Sequence, residues 1–360
     1  MKSFVLKGAL GALALGLGGL SLFATPVVAQ QAVPVLLCPQ GCGPTESDTI
    51  LMNQMIRDGY PVVLQPQETP GYMANIRMMA DPSMWETTVF STEDPIIQLA
   101  FRGGTDEIEE FLPEPIPIDF RLLYGEAWWG QGKFFVTFDP NIRTVEDMMG
   151  KRISLGLRSQ SDWGFFSRLF LEHGYGITPD NSRINHMTPP ALTQQLIDRN
   201  TDVAVSVFGT EPRLEEWLIG GPLRQLEAAG EFHYIGIEPE IVDKVNEKFD
   251  TTFLSVAIPA GTLPHQNEEL NVAVNRGFKA VHESFSEELA YQIVKGVLEY
   301  GPQLQDLHPL WDIWSPELML HGLSEENTHP GAIRAYKEAG LWHLATETYA
   351  DYQVTYPEAR

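Results

Sequence analysis

Short polar turns follow several predicted strands, and these turns hold the residues of this sequence best suited to binding a ligand. In an open α/β sheet, ligands bind outside the carboxyl ends of the strands, where helix N-termini present free N–H groups. Hydroxyl and carboxylate side chains there can hold a small molecule, although Ser, Thr and Asp at such positions also cap helices. Both roles stay open for each residue. The turns are Cys38–Asp48, Gln67–Tyr72, Ser91–Asp94, Arg158–Asp162 and Phe208–Glu211.

Motifs for catalysis and metal binding are absent from the sequence. It contains no Gly-x-Ser-x-Gly, no His-Glu-x-x-His and no phosphate-binding loop of the Walker type. The nine histidines lack the spacing of metal ligands, so we predict no metal site and no cofactor. Pairs of carboxylates are uninformative in a chain with 48 acidic residues. We therefore expect a binding protein with no catalytic residues, rather than an enzyme.

The composition indicates a globular, strongly acidic protein. The chain has 360 residues, of which 43% are hydrophobic, and 24 basic residues stand against 48 acidic ones, for a formal net charge of −24. Such a chain repels phosphate backbones, so nucleic acid is excluded as an expected partner. The length suffices for one large domain or two medium domains with cores of their own.

The first 29 residues have the pattern of a secretory signal peptide. Lys2 and Lys7 precede an uncharged apolar stretch, Ala9–Phe23, and small residues lead up to Ala29. The apolar stretch is shorter than the roughly 20 residues that a membrane span needs. We therefore predict export, with cleavage near Ala29, which removes two lysines and leaves a mature net charge of −26.

The only two cysteines, Cys38 and Cys42, are close together in a Gly- and Pro-containing loop. An oxidising compartment favours a disulfide between them, with free thiols as the alternative. Their spacing is not Cys-x-x-Cys, so a redox-active role has no support.

Predicted strands and helices alternate along the chain, which favours α/β architecture with a mostly parallel sheet. We expect extended crossings between two lobes near Gly125–Lys133 and Phe253–Pro259. Three further expectations concern single segments: Glu211–Leu218 is helical, the chain is mostly helical from Leu270 onward, and Thr105–Asp119 is a solvated surface insertion.

Several stretches resemble the solute receptors of tripartite ATP-independent periplasmic (TRAP) transporters, in the branch called TAXI. The resemblance covers roughly residues 33–341 in the family's order. The stretches that carry it are Thr144–Gly156, Asp202–Val205, Phe208–Pro212, Ile258–Thr262 and, most specifically, Thr328–Leu341.

This resemblance implies a type II periplasmic-binding fold, in which two lobes joined by a hinge close on a small solute, with a helical C-terminal tail. It implies a signal peptide at 1–29, a first lobe at 30–127 and 257–360, and a second lobe at 128–256. The expected solute is an organic acid or amino acid, and the expected partners are TRAP membrane subunits, with the receptor itself a monomer. An exported enzyme or a sensory receptor on the same scaffold remains the alternative.

Combining the turns with the resemblance gives a set of expected ligand-binding residues. The sequence departs from the family's usual pattern at three turns: Cys38–Thr45, Glu68–Tyr72 and Ser159–Trp163. The expected ligand-binding residues are Thr45, Tyr72, Asn75, Ser91, Thr92, Glu93, Arg158, Ser159, Gln160, Ser161, Asp162, Trp163, Phe208, Gly209 and Thr210.

Overall fold

The computed structural model describes residues 31–348, apart from 104–107, 118, 213 and 215. The predicted signal peptide, 1–29, lies outside the described residues. Within them, no helix is both long enough and apolar enough to pass through a lipid bilayer.

The described residues form a mixed α/β structure. The strands are β1 Gln31–Leu36, β2 Val62–Gln67, β3 Val89–Glu93, β4 Phe120–Thr137, β5 Arg152–Leu155, β6 Arg183–His186, β7 Val203–Thr210, β8 Trp217–Leu218, β9 His233–Ile235, β10 Leu254–Ile258 and β11 Leu270–His282. The α-helices are α1 Gly43–Arg57, α2 Tyr72–Met78, α3 Asp94–Arg102, α4 Ser167–Leu169, α5 Pro189–Ile197, α6 Gly221–Ala229, α7 Pro239–Phe249, α8 Glu287–Leu304, α9 Pro309–Asp312, α10 Pro316–Leu320 and α11 Pro330–Glu338. Two π-helical segments, Ser161–Phe166 and Phe170–Gly174, flank α4.

The strands join one sheet in the order β2-β1-β3-β11-β4-β7-β5-β6. The two wings of the sheet are parallel, since β1 pairs with β2 and β3, and β5 pairs with β6 and β7. The centre is antiparallel, because β4 and β11 run in opposite directions between the wings. The sheet is thus more mixed than the predicted mostly parallel one.

The two wings are the cores of two lobes, joined through the long central strands β4 and β11. Helices α8 to α11 follow β11 in the chain and pack on the first lobe, where α8 contacts α1 and β2. Helix α8 begins after Ser286, whose hydroxyl accepts a hydrogen bond from the Leu289 N–H at 3.3 Å. The predicted two-lobed α/β fold with a helical C-terminal tail is confirmed.

Two segment predictions are wrong. Leu270–His282 is strand β11 and not a helix, because at the centre of the sheet it is covered on both faces and therefore has no one-sided apolar pattern. The second crossing between the lobes was predicted at Phe253–Pro259, but the long strand that makes it is β11, which comes later in the chain. Glu211–Leu218 is not helical either, since its last two residues form β8, which folds back on β7.

The insertion Thr105–Asp119 is solvated only in part, since its described acidic residues are exposed, as predicted, but several of its apolar residues are buried. Ile108 and Leu112 are fully buried. Phe111 packs edge-on against Phe165 of the second lobe, with ring centroids 5.1 Å apart. The three apolar residues have helical spacing, which the surrounding acidic residues obscured in the sequence. The insertion therefore connects the two lobes.

Candidate functional site

A small cavity lies where the two lobes meet. It leaves about 30 Å³ for the centre of a water-sized molecule. Its walls come from the loop after β1, from α2 and β3 in the first lobe, from β4, and from the turn before α4 in the second lobe. The lining residues are Cys38, Cys42, Pro44, Gly71, Tyr72, Glu93, Gln131, Gln160, Ser161, Asp162 and Trp163.

Two carboxyl groups, one from each lobe, face each other at this cavity. Glu93 ends β3 and precedes the first turn of α3, and Asp162 opens the helical segment that leads into α4. Both side chains are buried. Burial, and then the neighbouring Asp162, raise the pKa of Glu93 well above its usual value. The surroundings therefore favour the uncharged, protonated form of Glu93.

A buried lysine from β4 completes this group. Lys133 Nζ donates to Asp162 Oδ1 at 3.0 Å, to the Gln131 carbonyl at 3.1 Å and to the side-chain oxygen of Asn275. Its side chain is fully buried. We call Glu93, Gln131, Lys133, Asp162 and Asn275 the Lys133 cluster. It contains two carboxyl groups and one ammonium group.

A second buried lysine forms a similar group inside the first lobe. Lys279 Nζ lies 2.7 Å from both Asp48 Oδ2 and Glu126 Oε1. The Tyr72 hydroxyl donates to both Glu126 carboxylate oxygens at 3.0 Å. Burial raises the pKa of Glu126 to about 7, although Lys279 opposes the shift. We call Asp48, Tyr72, Glu126 and Lys279 the Lys279 cluster; Tyr72 also lines the small cavity.

A large cavity adjoins the small one. It leaves about 340 Å³ for the centre of a water-sized molecule, and Cys42, Pro44, Gln131 and Trp163 line both cavities. Its other walls are mostly apolar and include Phe208, Pro189, Pro190, Ile219 and Leu310. No lysine or arginine is among the described residues that line either cavity.

The lobes touch each other beside the small cavity. Ser159 Oγ donates to the Pro70 carbonyl at 2.7 Å across the junction. A Cβ on Gly71 would lie 2.3 Å from the Ser159 carbonyl oxygen, and Gly71 has a φ of +141°. Glycine is therefore required at position 71 both for its backbone conformation and for this approach. The structure is that of a closed cleft.

Eight of the expected ligand-binding residues line a cavity. Those at the small cavity are Tyr72, Glu93, Gln160, Ser161, Asp162 and Trp163. Phe208 and Gly209, together with Trp163, line the large cavity. The disulfide between Cys38 and Cys42 forms part of the small cavity's wall, with an S–S distance of 1.97 Å.

Among the other expected residues, Asn75 and Arg158 bond within the protein. Asn75 is fully buried, and its amide donates to the Leu37 carbonyl at 2.9 Å and to the Ser91 carbonyl at 3.0 Å, which holds α2 to β1 and β3. Arg158 is exposed and pairs with Glu110 of the insertion at 2.9 Å. The expected residues that line neither cavity are Thr45, Asn75, Ser91, Thr92, Arg158, Ser159 and Thr210.

Sequence reasoning missed Gln131, Lys133 and Gly71. Gln131 and Lys133 lie in the middle of β4, and the search considered only turns at strand ends. A lysine in a strand is normally solvated, so nothing in the sequence marks Lys133 as buried. Gly71 does stand in a predicted turn, but only the structure shows its contact with the other lobe.

Comparison with known proteins identifies the family. The model of the NMT1-like family matches residues 117–340, which is more than half of the chain. Among solved structures, the periplasmic binding protein BugD is 10% identical, with a TM-score of 0.49 over 90% of this chain and 98% of that chain. MatC from Rhodopseudomonas palustris, solved with bound malate, is 13% identical, with a TM-score of 0.49 over 88% of this chain and 98% of that chain. A further R. palustris protein, solved with adipate, is 12% identical, with a TM-score of 0.46 over 89% of this chain and 98% of that chain. By the family match, this chain belongs to the NMT1-like family.

Proposed function

We propose that the protein captures a small solute between its two lobes and delivers it to the membrane subunits of a TRAP transporter, as a receptor of the TAXI branch. The observation that carries the binding role is the meeting of Glu93 and Asp162, from opposite lobes, at a cavity. A solute that contacts both lobes stabilises the closed arrangement over the open one. The TAXI assignment rests on the motifs, above all Thr328–Leu341.

The proposal includes the periplasmic location and the division of the chain. Residues 1–29 act as a cleaved signal peptide, 30–127 with 257–360 form the first lobe, and 128–256 form the second. N-terminal sequencing of the exported protein tests the first point, with Gln30 expected as the first residue.

The binding role is tested on the mature protein as purified. Mass spectrometry after unfolding identifies any solute that co-purifies, and readdition of that solute to the refolded protein should raise the Tm by mass action. Chemical conversion of the solute would favour an exported enzyme on the same scaffold and would overturn the proposal.

Delivery to a transporter needs a separate test. Vesicles that contain the TRAP membrane subunits should accumulate the solute only when the receptor and an ion gradient are both present, without ATP. Binding without uptake would favour a sensory receptor instead.

A further inference from the structure

We propose that the small cavity binds the cationic amine head of the solute, while the large cavity holds the solute's apolar body. This inference rests on the proposed function, because it names the class of solute for the same cleft. It replaces the expected organic acid or amino acid with an organic amine.

The first argument is the charge balance of the Lys133 cluster. Lys133 pairs with Asp162 at 3.0 Å, whereas no ion pair within 4.0 Å in the described part of the chain includes Glu93. The cluster is therefore neutral only while Glu93 keeps its proton. One positive charge from a ligand can take the place of that proton, and a second would be in excess.

The second argument is an unsatisfied oxygen. Glu93 Oε2 is buried and receives no hydrogen bond from any donor in the described residues. Its partner oxygen, Oε1, has only a long contact of 3.4 Å from the Gln131 amide. An ammonium group offers three donors and no acceptor, which is what a buried carboxylate oxygen lacks. A carboxylate head would bring more acceptors to a site that already has too few donors.

The third argument is the shape and lining of the two cavities. About 30 Å³ exceeds what one water needs, so the small cavity can hold one compact polar head. The rings of Tyr72 and Trp163 border it and can face a cation. Trp163 also lines the large cavity, whose apolar walls suit an alkyl or aryl body. With no lysine or arginine in the described lining, an anion would have no cation to bind.

Binding of an amine should release a proton. The raised pKa of Glu93 favours the protonated acid in the empty cleft, whereas an ammonium ligand favours the ionised form. The balance is one ammonium bound and one proton released to buffer. The groups that face Glu93 or adjoin it are Tyr72, Gln131, Lys133, Ser161, Asp162 and the Asp94–Arg276 ion pair.

The experiment uses three matched probes with the mature protein: phenethylamine, 2-phenylethanol and 3-phenylpropionate. Thermal shift at millimolar probe ranks them, and calorimetry in two buffers of different ionisation enthalpy counts protons. We expect the amine to bind best and to release protons to the buffer on binding. The Glu93→Gln variant keeps the neutral shape of the protonated acid, so it should fold normally, bind the amine at least about tenfold more weakly and release no proton.

Asp48→Asn is the matched control, since Asp48 is also buried but pairs with Lys279 and lines neither cavity. It should leave both amine affinity and proton release unchanged. Tighter binding of the carboxylate than of the amine, no binding of the amine at all, or equal amine affinity in Glu93→Gln would each overturn the inference. The first result leaves the proposed solute-binding function standing, whereas conversion of a co-purifying solute overturns that function itself.

Discussion

The Lys133 and Lys279 clusters contain the same charged groups in different settings. Each has one fully buried lysine and two buried carboxyl groups. In the Lys279 cluster the ammonium lies 2.7 Å from each carboxylate, and the Tyr72 hydroxyl adds a further donor. In the Lys133 cluster the ammonium pairs with Asp162 alone, and Glu93 relies on its proton.

The difference lies in what the clusters connect. Asp48, Glu126 and Lys279 come from α1, β4 and β11 and hold together the interior of one lobe. Glu93 and Asp162 come from opposite lobes and meet at a cavity. We expect buried charged groups within one lobe to affect the free energy of unfolding. The same groups placed between two lobes should affect lobe closure and ligand affinity. The following predictions test this distinction.

The largest effect is expected from Lys279→Met. Loss of the ammonium leaves Asp48 and Glu126 buried without their cation, which should cost about 3–5 kcal/mol of unfolding free energy. Urea unfolding measures the loss. Lys337→Met is the control, since Lys337 pairs with Glu325 at 2.8 Å on the surface and should matter little. Equal stability of the two variants would show that the Lys279 cluster does not support the lobe.

Gly71→Ala tests closure. Its Cβ would collide with the Ser159 carbonyl oxygen of the other lobe. Gly230→Ala is a close match, because Gly230 has a φ of +135° and nothing within 4 Å of the added Cβ. Both variants should lose stability through backbone strain, but only Gly71→Ala should weaken binding of the co-purifying solute, by roughly a hundredfold. Calorimetric titration compares them. Unchanged affinity in Gly71→Ala would mean that binding does not need the lobe contact.

A pH titration sharpens the assignment of the Lys279 cluster to stability. The pKa of Glu126 is about 7 in the folded chain, against an ordinary value of 4.5, so the folded state holds a proton that the unfolded state loses. Between these values stability therefore falls as pH rises. Glu126→Gln lacks this dependence, so the unfolding free energy of the natural protein minus that of the variant should decline from pH 4.5 to 7 and level off above. Urea unfolding across this window provides the measurement, and a difference that stays flat would contradict the raised pKa.

The sequence predicted the polar side chains of the cleft that stand in turns, but not those that stand within strands. Glu93 and Asp162 were found because carboxylates at strand ends and helix starts have a recognisable position. Lys133 was not found, since its role depends on partners that are distant in sequence, such as Asn275.

The architecture shows the same limit. Alternating strands and helices predicted the α/β lobes, but β11 resembled a helix because it is buried on both faces. The contacts of Phe111 and Glu110 with the second lobe depend on how the lobes meet, which no local pattern encodes.

Arg158→Ala is expected to have the smallest effect. The Arg158 side chain is 55% exposed and its partner Glu110 is 44% exposed, so their ion pair across the junction is screened by solvent. We expect the affinity for the co-purifying solute to fall by no more than about threefold. The loss of affinity should be smaller at high salt, because salt already screens the ion pair. Arg152→Ala is the control, because Arg152 pairs with Asp202 inside the second lobe and should leave affinity unchanged. A loss of binding in Arg158→Ala alone would instead indicate direct contact with an anionic solute. That result would contradict the assignment of a cationic solute to the carboxyl groups of the Lys133 cluster.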